Sequence, residues 1–168
     1  IREIVKLASN ENSLGPSPRA VEAIREILGG VSRYPDGSGF ELRGALAARH
    51  GVDPAQIVLG NGSNDVLEIA ARTFLGPGDE AVFSRHAFIV YPLVTQAAGA
   101  TGVEVPAAPG LGHDLSAMAD ALTPKTRLVF LANPNNPTGT LFGKDEWKAF
   151  LRRVPEDVPL VVDEAYAE

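Results

Sequence analysis

The residues best equipped for chemistry fall in three short clusters. The first is Gly60-Asn61-Gly62-Ser63-Asn64. Glycine lets the backbone approach another group closely, and the first N–H groups of a following helix have no partner inside it. Together with the helix dipole they make a site for an anion such as phosphate. The cluster lacks the lysine of a Walker loop and the G-x-G-x-x-G spacing of a dinucleotide fold. A tight turn with a Ser or Asn cap accounts for the same residues. The second cluster is Asn133-Pro134-Asn135-Asn136-Pro137-Thr138-Gly139. Two Asn-Pro steps and a glycine hold the backbone rigidly, which keeps a side-chain amide in place for a ligand. Either Asn-Pro bond can adopt the cis form. A plain connecting turn uses the same residue types. The third is Asp163-Glu164-Ala165-Tyr166, after the apolar run Pro159-Leu160-Val161-Val162. A carboxylate there must be paired, hydrogen-bonded or solvated. A metal ion or a protonated ring nitrogen would pair it; a solvated strand end would need neither.

Other chemistries find less support. His50, His86 and His113 are scattered without metal-ligand spacing, so no metal site is expected. No serine sits in a G-x-S-x-G elbow. The chain has no cysteine, which excludes disulfides, thiolate catalysis and Cys-ligated zinc.

The elements that must position these clusters follow from periodicity and punctuation. Ser17-Pro18 reads as N-cap and first residue of a helix bearing Val21, Ile24, Ile27 and Leu28 on one face, stopped by Gly29-Gly30. Ser38 and Glu41 read as a capping box for a second helix, ending at Gly51 with His50 favoured by the dipole. The pattern then alternates. Strands are expected at 56–59, 80–83, 102–105, 127–132 and 160–162, and helices at 65–75, 89–98, 114–122 and 144–153. Strands alternating with helices of this length predict an α/β fold, a mostly parallel sheet flanked by helices. Ligands of such sheets sit beyond the carboxyl ends of the strands. All three clusters fall at expected strand ends, which predicts one shared site.

Size and charge narrow the function. The 168 residues carry 15 Lys+Arg against 21 Asp+Glu, a net charge of −6. That length supports one core without staples. The acidic balance argues against a nucleic-acid partner, which needs a dense basic patch. No apolar run approaches the ~20 residues of a membrane span, so no membrane partner is expected. The opening Ile1-Arg2-Glu3 is not a signal peptide, and with the absence of cysteine this predicts a cytoplasmic location. The missing initiator Met leads us to expect sequence upstream.

Taken together, the clusters resemble fold-type I aminotransferases that use pyridoxal 5′-phosphate (PLP), most closely the histidinol-phosphate aminotransferase branch. Lys6-Leu7-Ala8-Ser9-Asn10-Glu11-Asn12 with Leu14-Gly15-Pro16-Ser17-Pro18, and Arg33-Tyr34-Pro35-Asp36-Gly37, are similar to the family's opening. The phosphate turn, the N-N-P-T-G element and the D-E-A-Y element follow in the family's order. The resemblance implies an incomplete large domain of the aspartate aminotransferase type: an arm over residues 1–15, a helical segment over 16–50 and a partial PLP-binding domain over 51–168. It implies that Gly62, Ser63 and Asn64 bind the cofactor phosphate through backbone N–H groups. Phe88 corresponds to the aromatic stacked on the pyridine ring, a position where many relatives carry Tyr. Asn136 and Tyr166 correspond to the donors on the ring hydroxyl oxygen. Asp163 corresponds to the carboxylate facing the pyridine nitrogen. Tyr34 corresponds to a residue reaching the phosphate of the neighbouring subunit, which implies a homodimer.

The implied reaction exchanges an amino group between histidinol phosphate and 2-oxoglutarate, with glutamate as its counterpart, in histidine biosynthesis. An aromatic amino acid aminotransferase, a threonine-phosphate decarboxylase and a non-catalytic half-length PLP-binding or dimer-forming module are the alternatives. The family's imine lysine lies downstream of D-E-A-Y. The lysines here are Lys6, Lys125, Lys144 and Lys148, none in that context. The expectation is therefore the first half of an enzyme, with no catalytic residue in this chain and no turnover by these residues alone.

Overall fold

The structure, a computed structural model, describes residues 9–167. The sequence quoted for the N-terminal arm before Ser9 lies outside them. The chain forms two compact units, residues 1–57 and 58–168. The sequence predicts a division at residue 51.

The first unit holds α1 (Pro18–Ile27), a 3₁₀ turn (Leu28–Gly30), α2 (Phe40–His50) and a second 3₁₀ turn (Pro54–Gln56). The expected start of α1 at Pro18 is observed, but Ser17 makes no side-chain cap. The start of α2 corrects the expected capping box. Gly39 occupies the N-cap at φ 58°, and the Asp36 carboxylate accepts from the Phe40 N–H at 2.8 Å. Asp36 also accepts from the Ser38 N–H and hydroxyl, so Ser38 braces the carboxylate and does not cap the helix. These bonds hold the Asp36 carboxyl below its ordinary pKa. The helix ends at Gly51, φ 67°, whose N–H donates to Ala47 O. The expected strand at 56–59 is absent. Asp53 and Gln56 instead form a reciprocal capping box around the Pro54–Gln56 turn, and the Gln56 and Ile57 N–H groups donate to Asp53 O and Pro54 O.

The second unit is a four-stranded parallel sheet in the order β2-β1-β3-β4, with β1 Glu80–Ser84, β2 Thr101–Val105, β3 Thr126–Ala132 and β4 Leu160–Asp163. Its helices are α3 (Ser63–Phe74), α4 (Val90–Ala97), α5 (Leu115–Asp120) and α6 (Lys144–Leu151). Asp114 caps α5 as expected, accepting from the Ala117 N–H. Residues of a strand point alternately to opposite faces. On one face Ala81, Phe83, Leu128, Phe130 and Ala132 pack with Leu67, Ala71, Tyr91 and Val94 of α3 and α4. On the other, Val82, Val129 and Leu131 pack with Leu115, Met118 and Phe150 of α5 and α6. Each large apolar side chain buried this way contributes ~1.5–3 kcal/mol. With both faces covered by helices, the central strand β3 reads as a nearly continuous apolar run and not as an alternating one.

Gly102 is required by this packing. A Cβ on it would lie 2.8 Å from Cζ of Phe83 on the neighbouring strand.

Candidate functional site

The parallel order sends the carboxyl ends of β1, β3 and β4 to one edge of the sheet, and the N-terminus of α3 reaches the same edge. Ser63, Phe88, Ala132, Pro134, Asn136, Asp163, Ala165 and Tyr166 line a single cavity there, of about 40 Å³. Room for a water takes ~10–15 Å³, so the space between these side chains holds a few waters and no more. Ser63, Phe88, Asn136, Asp163 and Tyr166 were singled out from sequence, and the structure brings them together. Gly62 and Asn64 flank Ser63. Tyr34 belongs to the first unit and is fully exposed. Among the described residues no lysine lines this cavity.

Each wall has a local cause. Helix α3 starts at Ser63, two residues earlier than expected, so the N–H groups of Ser63 and Asn64 belong to its unpaired first turn. Gly62 is the N-cap at φ 80°, a left-handed conformation that favours glycine. The Asp65 carboxylate accepts from the Asn61 N–H (2.9 Å) and amide (3.0 Å), which closes the preceding turn and holds the Asp65 carboxyl below its ordinary pKa. A Cβ on Gly60 would lie 2.8 Å from Asp65 Cβ and 3.2 Å from Val66 N, so glycine is required for the turn to fold back on the helix.

The loop after β3 is held from several sides. Both Asn133-Pro134 and Asn136-Pro137 are cis. The Asn133 side chain accepts from the Phe142 N–H. The buried Asn135 amide donates to His86 O at 2.8 Å and to Thr138 Oγ1 at 2.7 Å. Asn135 thus ties the loop to the turn that carries Phe88, leaving Asn136 facing the cavity. His113 Nε2–H donates to Ala132 O just before this loop, and burial lowers the pKa of that imidazole.

Asp163, half-buried, ends β4 opposite Ala132. Its Oδ2 accepts from the Tyr91 hydroxyl at 3.0 Å and its Oδ1 from the Ala165 N–H at 3.2 Å. Tyr91 is fully buried, stacked on Phe130 at 4.9 Å and edge-on to Phe88 at 6.0 Å. Burial pushes its phenol far above the ordinary pKa, and the neighbouring Asp163 charge adds to the shift. Sequence reasoning missed Tyr91 and Asn135. The first sits on an apolar helix, where its pattern reads as core. The second is one of three asparagines in the loop, and only the fold says which faces inward.

A parallel α/β sheet with a carboxylate, an amide, an aromatic ring and a helix N-terminus gathered beyond its strand ends defines a ligand-binding class. The family described as Aminotransferase class I and II matches residues 2–168, and the chain belongs to that family.

Its similarity to individual proteins is high. The histidinol-phosphate aminotransferase 2 of Methylococcus capsulatus is 60% identical over 173 residues, covering 100% of this chain and 47% of the relative. That of Nitrosospira multiformis is 62% identical over 167 residues, covering 99% and 42%. Among solved structures, the Sinorhizobium meliloti histidinol-phosphate aminotransferase in complex with pyridoxal-5′-phosphate superposes with a TM-score of 0.88 at 33% identity, covering 95% of this chain and 43% of that one. A Thermus thermophilus aspartate aminotransferase mutant gives 0.85 at 32% identity, covering 95% and 45%. The chain spans less than half the length of these relatives. Among the described residues, no helix is long and apolar enough to cross a membrane.

Proposed function

We propose that the protein containing this chain is a PLP-dependent histidinol-phosphate aminotransferase, exchanging an amino group between histidinol phosphate and 2-oxoglutarate. The observation that carries this reading is the single cavity lined by Ser63, Phe88, Asn136, Asp163 and Tyr166. Its donor set fits the cofactor. A carboxylate suits a protonated ring nitrogen, an amide and a phenol suit the ring oxygen, a flat side chain suits the ring face, and unpaired helix N–H groups suit a phosphate. When bound, PLP supplies an electron sink for the charge left on the substrate carbon after proton loss.

This chain's residues have distinct tasks. Asp163 keeps the ring nitrogen protonated, because a nearby negative charge favours the charged form. Asn136 and Tyr166 donate to the ring oxygen and fix the ring's rotation. Phe88 covers one ring face. Gly62, Ser63 and Asn64 hold the phosphate through backbone N–H groups. Tyr34 reaches the phosphate in the partner subunit of a homodimer. Residues 1–15 form an arm, 16–50 a helical segment and 51–168 part of the PLP-binding domain. The lysine that bonds the cofactor comes from elsewhere in the full-length protein, since none of Lys6, Lys125, Lys144 and Lys148 has the family's sequence context, and of the described lysines none lines the cavity. The setting is cytoplasmic amino-acid biosynthesis.

The test is a comparison of kcat/KM on histidinol phosphate, phenylalanine and threonine phosphate with the full-length protein. Histidinol phosphate should be preferred; a higher value on either competitor would replace the substrate assignment. Asp163→Ala should lower kcat by ~10³ or more, the scale of losing a preorganised charge at the reacting group, with the fold intact. Retention of most activity would remove Asp163 from its role.

A further inference from the structure

Tyr91 has no place in the roles above, yet its hydroxyl occupies one oxygen of the key carboxylate. A phenylalanine would fill the same space between Phe130 and Phe88 with no polar atom to satisfy. The phenol is completely buried, and a buried hydroxyl needs a partner. That partner is Asp163 Oδ2 at 3.0 Å, reached across 72 residues of chain. The opposite oxygen is held by the Ala165 N–H. The carboxylate is therefore fixed at both oxygens from the protein side, and each keeps acceptor capacity for a further donor. Tyr91 also meets Phe88 edge-on at an interplanar angle of 88°. One buried side chain thus touches both groups assigned to the cofactor ring, the one at its nitrogen and the one at its face.

We propose that Tyr91 is a positioning residue: its hydroxyl orients Asp163 and, by stabilising the ionised carboxylate, keeps the shared proton on the cofactor ring nitrogen and off the aspartate. The inference rests on the assignment of Asp163 to that nitrogen. The physical reason is a competition for one proton. A donor bonded to the carboxylate favours its charged form and makes it a weaker base. Remove that donor and the aspartate takes a larger share of the proton, which weakens the electron sink. The stack on Phe130 holds the phenol ring in place, so loss of the hydroxyl alone should leave the core packed.

The experiment uses the full-length holoenzyme loaded with PLP labelled with ¹⁵N in the ring, comparing wild type, Tyr91→Phe, Asp163→Ala and the double variant. In wild type the ¹⁵N signal should report a protonated ring. Tyr91→Phe should move it toward the unprotonated value and lower kcat by about tenfold, the scale of one hydrogen bond to a charged group, with KM little changed. Asp163→Ala should lose the protonated signal, and adding Tyr91→Phe to it should cost nothing more, because the hydroxyl acts only through the carboxylate. An unchanged signal and kcat in Tyr91→Phe, or a full further loss in the double variant, would overturn the proposal while leaving the Asp163 assignment standing. An unprotonated ring in wild type, or a protonated one in Asp163→Ala, would overturn the assignment and the proposal with it. If Tyr91→Phe does not fold, 3-fluorotyrosine placed at position 91 keeps the hydroxyl and strengthens it as a donor. At a fixed pH the ring signal should then be at least as fully protonated as in wild type, and a move toward the unprotonated value would count against the proposal.

Discussion

Helices α1 and α3 both carry apolar residues at helical spacing and meet different fates. Helix α1 and the turn after it carry Ile24, Ile27 and Leu28 on one face. In α3 the sequence predicts Val66, Ile69, Ala70 and Phe74 as the apolar face. The structure instead buries Leu67 and Ala71, followed by Leu75, and leaves Val66, Ile69 and Phe74 exposed. Leu67 is 2% exposed beneath the sheet, whereas Ile27 is 67% exposed. Across residues 9–57 the only buried side chain is Ala47, while residues 58–167 close two cores, one on each face of the sheet. Periodicity therefore marks apolar residues at helical spacing and settles neither which set is buried nor what buries it. In the first unit the elements rest on local devices: the Asp36 brace, the Gly51 cap, the Asp53–Gln56 box. In the second, packing holds the strands, and the strands place the site.

The largest break in this contrast comes from matched aromatic truncations in the full-length protein. Phe130→Ala removes a fully buried ring and should destabilise by ~3–5 kcal/mol in denaturant unfolding. Phe40→Ala removes a ring that is 78% exposed in this chain and, where the rest of the full-length protein does not cover it, should change stability by less than ~0.5 kcal/mol. Equal effects would erase the distinction between the units. A large Phe40 effect alone would show that the assembled protein covers the first unit's apolar face.

Gly102→Ala tests the packing more finely. The added methyl must displace the Phe83 ring, and the expected loss is ~1–3 kcal/mol. A neutral result would show that the ring gives way freely and that the inner face is looser than described.

Acid titration of the local devices has the smallest effect. Asp36 has its carboxyl lowered by its bonds to Phe40 and Ser38. Its contribution is therefore fully present above the ordinary carboxylate pKa and is lost as pH falls through the lowered one. The Phe40 amide resonance should shift in that acid window in wild type and not in Asp36→Asn. A titration centred at the ordinary value would remove the brace from the account.

Much of the second unit was legible because β3 and β4 are continuous apolar runs bounded by Asn, Pro and Asp, and chain order then forces those boundaries to one edge. The first unit read less well. Residues 56–59 look like a strand by composition, but Gln56 closes a 3₁₀ turn capped by Asp53, and among the described residues no strand pairs with 57–59. Ser38 and Glu41 have capping-box spacing, yet Gly39 in a left-handed conformation moves the helix start to Phe40 and gives the cap to Asp36. Within the site, the clusters exposed their outward members, Ser63, Asn136 and Asp163. The supports beneath them, Tyr91 and Asn135, stayed hidden, because their roles depend on partners 72 and 49 residues away in the chain.

The central claim is that Asp163 and its neighbours address one PLP ring. The most direct test is a crystal structure of the full-length protein grown with PLP. The account predicts the ring nitrogen within hydrogen-bond distance of the Asp163 carboxylate, at about 3 Å, with Phe88 over the ring, Asn136 at its oxygen and the phosphate at the N-terminus of α3. A cofactor bound with its ring nitrogen away from Asp163, or with its phosphate remote from Ser63, would contradict it.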